Sequence, residues 1–209
     1  MITKDDLEIK RTPDQLSAFV ESTFNAIRDD ENTRKIARLR KPPYKELIEE
    51  VYPFSVFCSL KYSNQPVLCS PVIGNQGFDA VIESPQSELI EHIELSWPID
   101  GQKAHYIAKE LNDKSITKLE IRDVNDSSPR DEIIERIINK AKDKALKDYS
   151  TEQGSSIVFM LDTAPHFGMS KIEYPEDIAR LLESIMDIEF KASNVYLLLL
   201  PLKELIEIK

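Results

Sequence analysis

Gly74-Asn75-Gln76-Gly77-Phe78-Asp79-Ala80-Val81-Ile82-Glu83 and, after a short gap, Leu89-Ile90-Glu91-His92-Ile93-Glu94-Leu95-Ser96-Trp97 form the stretch whose reading decides the fold. It reads as a turn, a strand, a second turn and another strand, with an acid in each strand. At a period of two, Asp79 shares a face with Val81 and Glu83, and Glu94 shares one with His92 and Ser96. Paired as antiparallel neighbours, the two strands set carboxylates side by side among apolar residues, which is costly unless a cation neutralises them. Asp79 and Glu94 are therefore the first candidates for holding one divalent ion.

Outward from this pair, a run at about 66–73 precedes the Gly74–Gly77 turn, so that 66–73, 77–83 and 88–97 make an antiparallel meander. Upstream, residues 13–30 predict an amphipathic helix with Leu16, Phe19, Val20, Phe24 and Ile27 on one side. Pro42-Pro43 breaks the chain, and Tyr44 to Leu60 predicts a second helix that Pro53 should kink. Downstream come a short helix from Gly101 to Leu111, a strand-like stretch from Lys114 to Val124, and a capping loop at Asn125–Pro129. A long helix from Asp131 to about Tyr149 follows, with Ile133, Ile134, Ile137, Ile138, Ala141, Ala145 and Tyr149 as its apolar side. Ser156–Asp162 and Asn194–Leu200 are unbroken apolar strands separated by a helix from Pro175 to Ile188, the mark of parallel pairing through crossovers. The expected architecture is α/β: a mixed central sheet flanked by helices, with core order αβββαβ, an added N-terminal helix and a C-terminal αβ unit.

The length of 209 residues and the 41% hydrophobic content fit one domain. Its expected parts are a helical extension at 1–43, a core at 44–162 and an αβ extension at 163–209. No run approaches 18 uncharged apolar residues and the chain opens Met1-Ile2-Thr3-Lys4, so the expectation is a cytoplasmic protein with no membrane contact. Cys58 and Cys69 are expected as buried thiols, not as a bridge or a zinc site. A net charge of −10 restricts any nucleic-acid contact to a local basic patch. Arg34-Lys35-Ile36-Ala37-Arg38-Leu39-Arg40-Lys41, with five cations in eight positions, is the candidate, and a solvated helix face explains it as well.

The element order, the Glu49-Glu50-Val51-Tyr52-Pro53 helix segment, the run Gly74 to Ile82 with Asp79, and Ile93-Glu94-Leu95-Ser96 followed by Asp100-Gly101 and a helix together resemble the PD-(D/E)xK superfamily of restriction-endonuclease-like proteins, as an uncharacterised bacterial branch. The resemblance covers about residues 44–162. It implies a Mg²⁺- or Mn²⁺-dependent endonuclease or exonuclease acting on DNA or RNA, with Asp79 and Glu94 as metal-binding catalytic acids and Glu50 as a further ligand from the helix before the meander. Glu49 is the rival of Glu50, and an ordinary surface position is open for both.

The family pattern places a lysine two residues after the second acid, where this chain has Ser96. Serine offers no positive charge to a reacting phosphate. On a helical wheel Lys144 falls at the edge of the apolar stripe of the long helix with Lys140 beside it, so Lys144 is the candidate replacement; a solvated face formed by Lys140, Lys144 and Lys147 is the plain alternative. Gln76 and Asn75 ahead of Asp79, and His92 on the side of Glu94, are candidates for orienting the acids or touching substrate. A catalytically inactive member of the same fold, binding a partner protein in a defence, mobile-element or immunity context, is the alternative reading, with Ser96 marking the lost lysine.

Overall fold

The computed structural model describes residues 2–74, 76–98, 101–115, 127–149, 154–164, 167 and 171–209. The chain runs through α1 (Lys4–Glu8), α2 (Pro13–Asp29), α3 (Glu31–Arg38), the single turn α4 (Tyr44–Glu46), a π-helical turn (Leu47–Val51) and α5 (Tyr52–Lys61). It continues with β1 (Leu68–Pro71), β2 (Ala80–Glu83), β3 (Leu89–Ser96), α6 (Gly101–Lys114), α7 (Ser128–Ala145), β4 (Ser155–Leu161), α8 (Pro175–Met186), β5 (Asn194–Leu199) and β6 (Glu204–Glu207). The strands form one six-stranded mixed sheet in sequence order. β1, β2 and β3 are antiparallel, β3–β4 and β4–β5 are parallel, and β6 returns antiparallel along β5. The expected mixed α/β architecture is thus the observed one, with β6 as an additional edge strand. The strand-like stretch at 114–124 lies almost wholly outside the described residues.

Two apolar layers cover the sheet. On one face Leu16, Val20, Leu47, Val51, Phe54 and Phe57 from the N-terminal helices meet Ile82, Ile93, Val158 and Leu198. On the other, Ile134, Ile137 and Ala141 of α7 and Ile178, Leu181 and Ile185 of α8 meet Ile157, Phe159, Val195 and Leu197. Alternate residues of β4 and β5 thus enter opposite layers, which is why these strands are apolar from Ile157 and Val195 onward while β3 is not. Both cysteines are buried and unbridged in the first layer.

Local chemistry explains most boundaries. Thr3 and Thr12 each close a capping box at the starts of α1 and α2, and Pro13 occupies the first turn of α2, where no N–H is needed. The basic run ends α3 and leads to α4: Arg34–Arg38 belong to α3, which Asp30 caps through the Thr33 N–H, and Leu39–Lys41 follow it. It does not form a single cationic surface, because Lys35 pairs with Glu31, Arg34 donates to Arg28 O, and Arg40 is half-buried. Gly154 takes φ +66° just before β4, where an added Cβ would stand 2.4 Å from Ile90 O, so glycine is what lets β4 begin against β3.

β3 also carries a buried carboxylate on the α5 side. Glu91 is 3% exposed and accepts from Lys61 Nζ at 2.7 and 2.9 Å, Asn194 Nδ2 at 3.2 Å, the Tyr62 hydroxyl and the Ser156 hydroxyl. These donors come from α5 and its C-cap, β4 and β5, so one side chain ties the helix to three strands. The Lys61 ammonium also sits 4.6 Å from the Tyr196 ring centroid.

Candidate functional site

Pro53 was expected to kink a continuous helix; the irregularity instead lies in the turn before it. Lacking an N–H, Pro53 cannot bond the carbonyl four residues back, at Glu49. The Trp97 indole takes that vacancy, Nε1 donating to Glu49 O at 2.6 Å. Tyr52 N–H reaches back to Leu47 O, widening the turn to π geometry over Leu47–Val51. One proline thus converts the helix segment that carries Glu50 into a bulge docked on the end of β3, the strand that carries Glu94.

Asp79 sits immediately before β2. Its N–H donates to Ile93 O at 2.8 Å, and its Oδ2 accepts from Leu95 N–H at 2.7 Å. The register, with Ala80 opposite Ile93, brings Asp79 alongside Glu94. Burial raises the Asp79 carboxyl above its ordinary range against the pull of the Leu95 N–H, and the charge of Glu94 adds to the rise. Glu50 is raised further, from 4.5 to about 7, first by burial and then by the charges of Asp79 and Glu46, with Lys45 acting in the opposite sense.

Glu94 is handled differently. It is 6% exposed; Oε1 accepts from both Lys144 Nζ and Lys147 Nζ, and Oε2 accepts from the Tyr149 hydroxyl. Burial pushes its carboxyl up, but the hydrogen bonds from Lys144, Lys147 and Tyr149 outweigh burial and hold it below the ordinary range. Burial likewise works against the charge of Lys147, and the bond to Glu94 holds its ammonium above the ordinary range. The site therefore contains one clamped carboxylate held below its ordinary range and two carboxyls raised by burial and by neighbouring acids, Glu94 acting on Asp79 and Asp79 on Glu50.

Among the expected residues, the structure gathers Glu50, Asp79, Glu94 and Lys144 into one electrostatically coupled group. Ser96 is buried on β3, opposite Phe159 of β4. His92 stacks on Phe78 with ring centroids 4.3 Å apart, and its buried Nδ1 has no partner among the described residues. Gln76 turns its amide back to Val72 O at 2.5 Å, closing its own loop, and Asn75 lies outside the described residues. Lys140 is exposed, one turn before Lys144, in a cavity of 180 Å³ lined also by Pro98, Arg136, Asn139 and Asp143. Two contacts of Glu94 escape sequence reasoning. Lys147 follows the last turn of α7, and Tyr149 counts by periodicity as a packing residue while its hydroxyl serves the acid; the i, i+3 spacing from Lys144 was the available signal for Lys147.

Among the described residues, no three His, Cys, Asp or Glu side chains gather closely enough to hold a metal ion. Glu94 has its oxygens engaged by the lysines and Tyr149, so the donor set open to a cation is the Glu50–Asp79 pair. Two carboxyls from separate elements, each raised partly by negative charge nearby, suit a hard divalent cation, which would relieve that repulsion.

No protein-family model matches the chain, and no curated protein matches it. Among solved structures, the chain is similar to that of Pyrococcus furiosus SfsA in complex with Ca²⁺, with 18% sequence identity and a TM-score of 0.22 over 81% of this chain and 62% of that one. The chain thus spans less than two thirds of the length of that relative.

Proposed function

We propose that this protein is a metal-dependent nuclease-like phosphodiesterase. The observation that carries the reading is the Glu50 and Asp79 carboxyl pair, from the π turn and the start of β2, beside Glu94 of β3, on which Lys144 and Lys147 sit. Glu50 and Asp79 would hold Mg²⁺ or Mn²⁺, with Glu94 beside them on its lysines. The bound ion would supply Lewis acidity, polarising a phosphodiester and lowering the pKa of water.

The chain's own residues account for the remaining roles. Leu95 N–H fixes one Asp79 oxygen, so the other is presented in a set direction. Lys144, 18% exposed, keeps its ammonium against Glu94 and brings the positive charge that Ser96 cannot provide to a phosphate. Tyr149 holds the second Glu94 oxygen and so limits its rotation. Calorimetric titration with Mn²⁺ tests this: wild type should bind and Asp79→Asn should not, and only wild type should cleave circular plasmid or a single-stranded oligonucleotide. Absence of Mn²⁺ binding to wild type removes the proposal. The engagement of both Glu94 oxygens by protein donors favours the second reading, a non-catalytic binding module, which that same null titration would support.

A further inference from the structure

α7 carries Arg136, Lys140 and Lys144 at spacings of four, and Lys147 follows three residues later. On the helix Arg136, Lys140 and Lys144 fall within about 80° of one another and extend over about 12 Å at 1.5 Å per residue, and Lys147 lies just past its end. The row starts in the 180 Å³ cavity beside Pro98, where Arg136 and Lys140 are the cationic lining residues, and ends with Lys144 and Lys147 on Glu94. In a chain of net charge −10, such an alignment is a local source of attraction for a polyanion.

We infer that this α7 row is the track for a nucleic-acid strand, with phosphates contacting Arg136 and Lys140 and the strand leading to the acids at Lys144. The inference rests on the proposed nuclease reading for its destination but not for its binding energy. Cations one helical turn apart recur about every 6 Å, and about 12 Å corresponds to about four phosphates of one duplex strand at about 3.4 Å per charge. Asp143 in the same cavity, and Glu132 at 3.9 Å from Arg136, keep the row short of a uniform basic patch and set its edge. The assignment moves the nucleic-acid surface away from residues 34–41, where Lys35 and Arg34 are engaged within the N-terminal helices and Arg40 is half-buried.

Fluorescence anisotropy with labelled single-stranded and duplex oligonucleotides, in EDTA and across a salt series, tests the track without cleavage. Arg136→Ala with Lys140→Ala should weaken binding about 10–100-fold at low salt and lower the log–log salt slope by about 1.5. The variant's melting temperature should stay near that of wild type. Arg38→Ala with Lys41→Ala, two exposed positions in the other basic segment, should leave binding unchanged. The inference is overturned if wild type binds neither oligonucleotide, if the α7 variant binds like wild type, or if the 38/41 variant is the one that loses binding. Salt-dependent binding in EDTA without any cleavage in Mn²⁺ keeps the track and removes the nuclease reading, so the two stand or fall separately.

Discussion

Replacing Glu50 with glutamine should make the protein more stable at pH 8 and leave it nearly unchanged at pH 4. The carboxyl's rise from 4.5 to about 7 is a difference of about 3 kcal/mol between its two protonation states, at about 1.4 kcal/mol per tenfold change in proton affinity. Because Glu50 keeps some solvent contact, screening reduces this to about 1–2 kcal/mol. The sign follows from linkage. The folded state holds this proton more tightly than the unfolded chain, so stability falls as pH rises from 4.5 through about 7. Glutamine removes that loss. Urea unfolding of wild type and Glu50→Gln should therefore show a gap near zero at pH 4 that opens to about 1–2 kcal/mol at pH 8. Saturating Mn²⁺ should narrow the gap at pH 8, because an ion between Glu50 and Asp79 stabilises the ionised wild type but has one ligand fewer in the variant. A pH-independent gap, or a variant less stable than wild type at pH 8, would refute the view that Glu50 is held in a repulsive carboxyl pair.

Three further perturbations probe the neighbouring contacts. Glu94→Gln should lose about 2–4 kcal/mol at pH 7, because Lys144 and Lys147 are left facing a neutral amide; the folded carboxyl lies below its ordinary range, so this loss is full above about pH 5 and fades as pH falls below the ordinary carboxylate value, as acid unfolding curves would reveal. Trp97→Phe should cost about 1–2 kcal/mol through the orphaned Glu49 carbonyl, and Pro53→Ala, which restores an N–H, should offset part of that cost in a double-mutant cycle; strict additivity would show that the indole bond and the missing proline N–H are unrelated. Glu91→Leu should cost about 3–5 kcal/mol, since it strands the Lys61 ammonium together with Tyr62, Ser156 and Asn194, and a chemical denaturation midpoint close to wild type would contradict the role given to that network.

The amino-acid order alone determined the sheet. Alternation in 77–83 and 88–97, continuous apolar runs at 156–162 and 194–200, and helical periods between them admit few arrangements other than a meander followed by crossovers, and the sheet found has that order with β6 added at its edge. The same periodicity put Lys144 at the margin of a buried stripe, because a residue's angle on a helix depends only on its position in the chain. What periodicity cannot carry is the partner across space. That Glu91 and Glu94, three residues apart on one strand, serve opposite faces and different lysines was decided by which helix packs on each side. The bulge carrying Glu50 likewise arose where a proline's missing N–H met an indole forty-four residues away. Local sequence sets dihedral preference and polarity pattern; the pairing of buried charges belongs to the packed layers, since only their approach removes water and makes each carboxylate answerable to its neighbours.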